Sequence, residues 1–147
     1  MVFFDAPTRS STRAEGDIYR DKADRLVDAT RQLLAGGRYA DAEERARELI
    51  DLQSKVVGDR HPESANGFCL LAEVLVGKDE LADAETLLQH ALEVRKKTLG
   101  DRHPDYAACL DQLARLMLRW DDLPGAEPLL RKALEIRKAV LGEEHLD

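Results

Sequence analysis

Leu99-Gly100-Asp101-Arg102-His103-Pro104 is the stretch whose reading decides the fold. Its last five residues, Gly-Asp-Arg-His-Pro, also stand at 58–62, so the two copies lie 42 residues apart. A partial copy, Gly142-Glu143-Glu144-His145, begins 42 residues further on. An identical pentapeptide at a fixed spacing marks an internal repeat of one supersecondary unit. Stacked units of this kind build extended binding surfaces and touch only their neighbours.

Laid without a gap over 100–141, residues 58–99 agree at nearly half of the positions, among them Ala65/Ala107, Leu71/Leu113, Ala84/Ala126, Leu88/Leu130, Leu92/Leu134 and Leu99/Leu141. Residues 22–57 follow the same register more loosely, with Leu26 over Phe68 and Leu110, and Ala42 over Ala84 and Ala126. Each unit reads as two helices. Ala107, Leu110, Leu113, Ala114 and Met117 recur three and four apart over 104–119, and Leu123, Ala126, Leu130, Ala133 and Leu134 do so over 122–141; that spacing is the stripe of an amphipathic helix. No alternation of period two suggests a strand. Gly58, Gly100 and Gly142 fall where a left-handed helix stop is favoured. Pro62 and Pro104 fall where a helix starts, and each biases the histidine before it away from the helical region. Pro128 lies one turn inside the last helix and predicts a bent or late-starting first turn.

At 147 residues the chain is one domain's worth, with 35% charged and 44% hydrophobic residues. A net charge of −7 argues against nucleic acid and anionic membranes, both of which call for basic patches. No apolar stretch reaches the roughly 18 residues of a membrane helix. Residues 1–16 read as a mobile leader and 17–147 as the repeat domain, with units at about 17–57, 58–99 and 100–141 and a truncated joint at 142–147. Two cysteines, Cys69 and Cys109, make no disulfide framework, so a reducing cytoplasm is the expected compartment. Arginine outnumbers lysine and alanine is abundant, which points to a GC-rich bacterial genome.

The pattern Leu110-x-x-Leu113-Ala114-x-x-Met117, then Ala126 and Leu130-x-x-Ala133-Leu134, resembles the tetratricopeptide repeat. The 42-residue period, the joint at 99–104 and the run Ala126-Glu127-Pro128-Leu129-Leu130-Arg131-Lys132-Ala133-Leu134-Glu135-Ile136-Arg137 are similar to the kinesin-light-chain class of that repeat. The resemblance covers about 18–147. It implies an all-α solenoid of three antiparallel helix pairs in a right-handed superhelix. It also implies a non-catalytic scaffold, free of cofactor and metal, that takes a peptide or partner segment on the concave face of its first helices. Matched onto this chain, that face carries Arg31, Asn66, Glu73, Asp111, Arg115, Leu118 and Arg119, with Cys69 and Ala108 among them. The paired asparagines of kinesin light chains are replaced here by Val27-Asp28, Cys69-Leu70 and Asp111-Gln112, so that cargo mode is not expected.

His61, His103 and His145 recur because the joint recurs. Metal ligands must converge on one ion at about 2 Å, and successive joints are a helix pair apart. Cys69 and Cys109 follow joint histidines in sequence, yet nothing supplies the oriented base that a nucleophile needs. Glu43/Arg47, Glu93/Lys97 and Glu127/Arg131 are spaced as surface ion pairs along helices. Leu146 stands where Pro62 and Pro104 stood, and no closing helix follows. Exposed apolar surface on the last unit is therefore expected. It would be covered in a homodimer formed through this C-terminal end, or by further repeats if the chain is part of a longer array in a signalling protein.

Overall fold

The computed structural model describes residues 9–145. Six helices follow one another: α1 (Arg9–Ala35), α2 (Tyr39–Val56), α3 (Pro62–Gly77), α4 (Leu81–Leu99), α5 (Pro104–Arg119) and α6 (Leu123–His145). They pack as the pairs α1/α2, α3/α4 and α5/α6, and each second helix packs on the first helix of the next pair. The first helices α1, α3 and α5 touch in series along one face. This is the expected α-solenoid.

Two recurring turns set the geometry. Within each pair the chain reverses over three residues, and the middle ones, Gly37, Asp79 and Asp121, stand 42 apart with φ of 73°, 64° and 60°. The following N–H closes each turn by donating five residues back, Arg38 to Leu33 (2.9 Å), Glu80 to Leu75 (2.8 Å) and Asp122 to Met117 (2.8 Å). This is the Schellman stop, whose left-handed residue favours glycine. Asp121→Gly is expected to stabilise the protein by about 1 kcal/mol, since a side chain in that region is strained. A higher urea midpoint with an unchanged slope would show it.

Between pairs, Gly58 and Gly100 take φ of 89° and 90°, and the next two residues lead into the histidine. His61 and His103 are extended, with ψ of 143° and 141°. Each turns its Nδ1 back to accept the N–H of Glu63 or Asp105 at 3.1 Å. The joint histidines are therefore N-caps of α3 and α5, in front of the first-turn prolines.

Three expectations change. The joint at 142–147 is not formed in its described part, because α6 runs through Gly142 to His145. With Leu146 in place of proline, nothing biases His145 out of the helical region. Leu146 and Asp147 lie outside the described residues. Residues 9–16 of the expected leader are helical and continuous with 17–35, leaving no boundary at 17. They contain no proline, and Ala14 and Glu15 are strong helix formers, so the packed helix propagates back through them. Residues 1–8 lie outside the described residues. Lastly, α6 starts at Leu123 and includes Pro128. Its start is not delayed, because Asp122 Oδ1 caps it by accepting the Gly125 N–H at 2.9 Å.

The largest core cluster joins Ala46 of α2, Phe68, Leu71, Ala72 and Leu75 of α3, Ala84, Leu88 and Ala91 of α4, and Cys109, Leu113 and Leu116 of α5. It therefore fuses neighbouring repeats and sets the spacing of the first helices. All three expected helix-face ion pairs form, at 2.8, 2.8 and 2.6 Å. Glu43 also takes Lys78 Nζ at 2.6 Å from the next unit. Lys78, and then Arg47, holds the Glu43 carboxyl below its ordinary range. Tyr19 Oη donates to Glu63 at 2.7 Å, tying the first unit to the second. Burial, and then that bond, pushes the Tyr19 hydroxyl up to about 12.

Candidate concave binding groove

The face shared by α1, α3 and α5 holds two adjoining cavities. One, of about 450 Å³, is lined by Val27 and Arg31 of α1, Asn66, Cys69, Leu70 and Glu73 of α3, Arg95 of α4, and Asp105, Ala108 and Gln112 of α5. The other, of about 430 Å³, lies between α3 and α5, with Leu88 of α4 and with Val76, Arg115 and Arg119 among its walls. They meet at Glu73 and Gln112, where Gln112 Nε2 donates to Glu73 Oε1 at 2.7 Å. That hydrogen bond is a bar across the groove. It divides a long slot into two subsites.

The cationic lining is largely without counter-ions. Among the described residues, Arg31, Arg95 and Arg115 have no carboxylate in ion-pair contact, while Arg119 holds Asp79 at 2.9 Å. Arg95 is the unusual one. It leaves the second helix of its pair and is 7% exposed. Its guanidinium donates to Asn66 Oδ1 at 2.7 Å and to the Asp105 carbonyl at 2.8 Å, and its Nε has no partner. A buried cation held only by neutral acceptors is costly until an anion reaches it.

Cys69 lines the same cavity. Its hydrogen bond with Cys109, followed by burial, pushes its thiol up, so it stays protonated and is a poor nucleophile. Cys109 donates to the Leu88 carbonyl at 3.4 Å. The Nδ1 atoms of His61 and His103 are engaged as helix caps, each at the start of a different helix.

Of the sequence-derived set, Arg31, Asn66, Glu73, Arg115 and Arg119 line the two cavities. Asp111 and Leu118 line neither. Asp111 is drawn towards α6, where it pairs with Arg137, and Leu118 is exposed at the end of α5. Sequence reasoning missed Arg95, Asp105 and Gln112. For Arg95 a signal existed. It stands seven residues after Leu88 and four after Ala91, on the apolar stripe of α4, where a charge is out of place unless it reaches something.

The family description for the tetratricopeptide repeat matches residues 31–97 and again 64–139. The nearly identical TPR-like repeats of a candidate kinesin light chain from Podosopora anserina superpose with a TM-score of 0.72 at 23% identity, over 78% of this chain and 55% of that one. The TPR domain of Arabidopsis FLU superposes at 0.60 with 13% identity, over 88% and 99%. BtubC (BKLC) of P. vanneervenii does so at 0.53 with 20% identity, over 82% and 56%. The chain thus spans about half the length of the Podosopora structure. No curated protein matches the sequence.

Proposed function

Because the chain belongs to the tetratricopeptide-repeat family, whose fold commonly mediates protein–protein interaction, we propose that it binds an extended segment of a partner protein in the groove of α1, α3 and α5. The observation that carries this reading is the groove's charge. The chain as a whole is at −7, yet Arg31, Arg95 and Arg115 line the slot without ion-pair partners among the described residues. Opposite charge steers such encounters and fixes register, so the segment carries carboxylates. Glu73 and the Gln112 bar between the subsites keep the acidic residues of the segment apart.

The reading gives the chain no catalysis, cofactor or metal, a cytoplasmic setting and no nucleic-acid partner. No helix among the described residues is long and apolar enough to cross a membrane. The test is an array of short amide-capped peptides, acidic against their Asn/Gln counterparts, read by fluorescence anisotropy. Acidic peptides should bind at about 1–100 μM. Ala108→Trp, which fills the first cavity, and Arg115→Glu should each weaken them at least about tenfold. Unchanged affinity in both variants would sink the groove reading.

A second reading is self-assembly through the end formed by α6. It is favoured by Leu130 and Leu134, which are 42% and 52% exposed on the last helix. The same face would receive a further repeat in a longer array.

A further inference from the structure

The repeat shows by internal comparison which surfaces are built to be covered. Leu88 of α4 and Leu130 of α6 occupy the same repeat position, 42 residues apart. Leu88 is 1% exposed beneath α5, whereas Leu130 is 42% exposed. Leu92 packs against the core, and its counterpart Leu134 is 52% exposed. Leu123 and Leu141 are exposed as well. Positions 123, 127, 130, 134, 137 and 141 are alternately four and three apart, the spacing of a seam that packs two helices side by side. Leucine fills four of them, Glu127 and Arg137 the others.

The opposite end of the array is not its complement. Towards α4, α5 presents Tyr106, Cys109, Leu113 and Leu116, all buried. The corresponding residues of α1 are Lys22, Arg25, Ala29 and Gln32. Head-to-tail stacking of copies would press lysine and arginine onto the leucine seam, and burying unpaired charge is strongly unfavourable. Within a second copy, the helix with a matching apolar seam is α6 itself. Antiparallel pairing about a two-fold axis beside residue 132 sets Leu123 against the second copy's Leu141, Leu130 against its Leu134, and Glu127 against its Arg137, each contact made twice. Parallel pairing would set Glu127 on Glu127 and Arg137 on Arg137. Arg137 already holds Asp111, and its five donors leave room for a second carboxylate. Closed symmetry of this kind makes one patch self-complementary.

We propose that the chain forms a two-fold homodimer by antiparallel pairing of α6, with the Leu123, Leu130, Leu134 and Leu141 seam closed by reciprocal Glu127–Arg137 contacts. This rests on the self-assembly reading, for which it names partner, helix and register, and it leaves the groove of each copy open. Sedimentation of the full chain should show a dimer. Leu130→Glu with Leu134→Glu should weaken it at least about a hundredfold while leaving the helical circular dichroism unchanged, because both side chains are exposed. Under mild oxidation, an equimolar mixture of Leu130→Cys and Leu134→Cys chains should cross-link faster than either variant alone. A monomer at about 1 mM, a concentration that detects even weak association, would overturn both the self-assembly reading and the proposal. A dimer untouched by the double glutamate variant, or one in which Leu130→Cys cross-links best with itself, would overturn the α6 pairing alone.

Discussion

Leu88→Ala is expected to lower the unfolding free energy by about 3–5 kcal/mol, whereas Leu130→Ala, at the same position one repeat later, should lower it by less than about 1 kcal/mol in the monomer. The two leucines share their repeat neighbours, Leu87/Leu129 and Ala91/Ala133, so local sequence does not separate them. What separates them is the helix that follows. Leu88 is 1% exposed, in a cluster that takes in Cys109, Leu113 and Leu116 of α5, while Leu130 is 42% exposed on α6. Removing Leu88 opens a cavity at the seam between two repeats, and neither repeat can relax without losing the other. Urea unfolding followed by circular dichroism, at a protein concentration low enough to keep the chain monomeric, measures both. Equal losses would mean that α6 is covered in the free chain, and they would remove the basis for any end-face interaction.

How much of this was legible in the sequence depends on the range of the physics involved. Helix ends were legible because their causes are local. Gly58 and Gly100 take positive φ, and Pro62 and Pro104 stand at a first turn, where a missing N–H costs nothing. The capping role of His61 and His103 was not read, since histidine is not among the favoured cap residues and its Nδ1 does the work. The last joint was misread for a related reason. Gly142 permits a helix stop but does not impose one, and the proline that imposes the next start is absent.

Asn66 and Glu73 on α3 and Ala108, Arg115 and Arg119 on α5 line the two cavities, and at the middle of α5 it is Gln112 that does so, one residue on from Asp111. Asp111 and Gln112 lie about 100° apart on the helix. Which of them faces the groove depends on how α5 leans between α3 and α6. Gln112 bonds to Glu73 of α3 and Asp111 to Arg137 of α6, and neither bond can be seen within one helix. Arg95, near the C-terminal end of α4, would suit the helix dipole simply as a solvated charge. Its burial arises from a contact with Asn66, 29 residues earlier, and with the Asp105 backbone, ten residues later.

Arg95→Met should therefore move stability and binding in opposite directions. In the free protein the guanidinium is buried with two neutral acceptors and an unpartnered Nε. Replacing it with an apolar chain of similar length removes the desolvation cost of the charge and keeps the wall that Arg95 forms with Cys69 and Leu70 filled, so the melting temperature should stay level or rise. Asn66 is exposed at the groove wall, where water can replace the lost donor. In the proposed complex the same arginine would meet a carboxylate away from bulk water, and truncating one partner of such a pair costs about 2–5 kcal/mol, or roughly thirty- to several-thousand-fold in affinity. Arg95→Lys should fall between the two, since it keeps the charge and loses the planar fork. Thermal unfolding paired with anisotropy on the acidic peptides separates the alternatives. If Arg95→Met destabilises the chain by several kcal/mol and leaves affinity unchanged, Arg95 is a structural tie between α3 and α5. If the chain is at least as stable and acidic peptides no longer bind, the buried charge is held in place for a ligand.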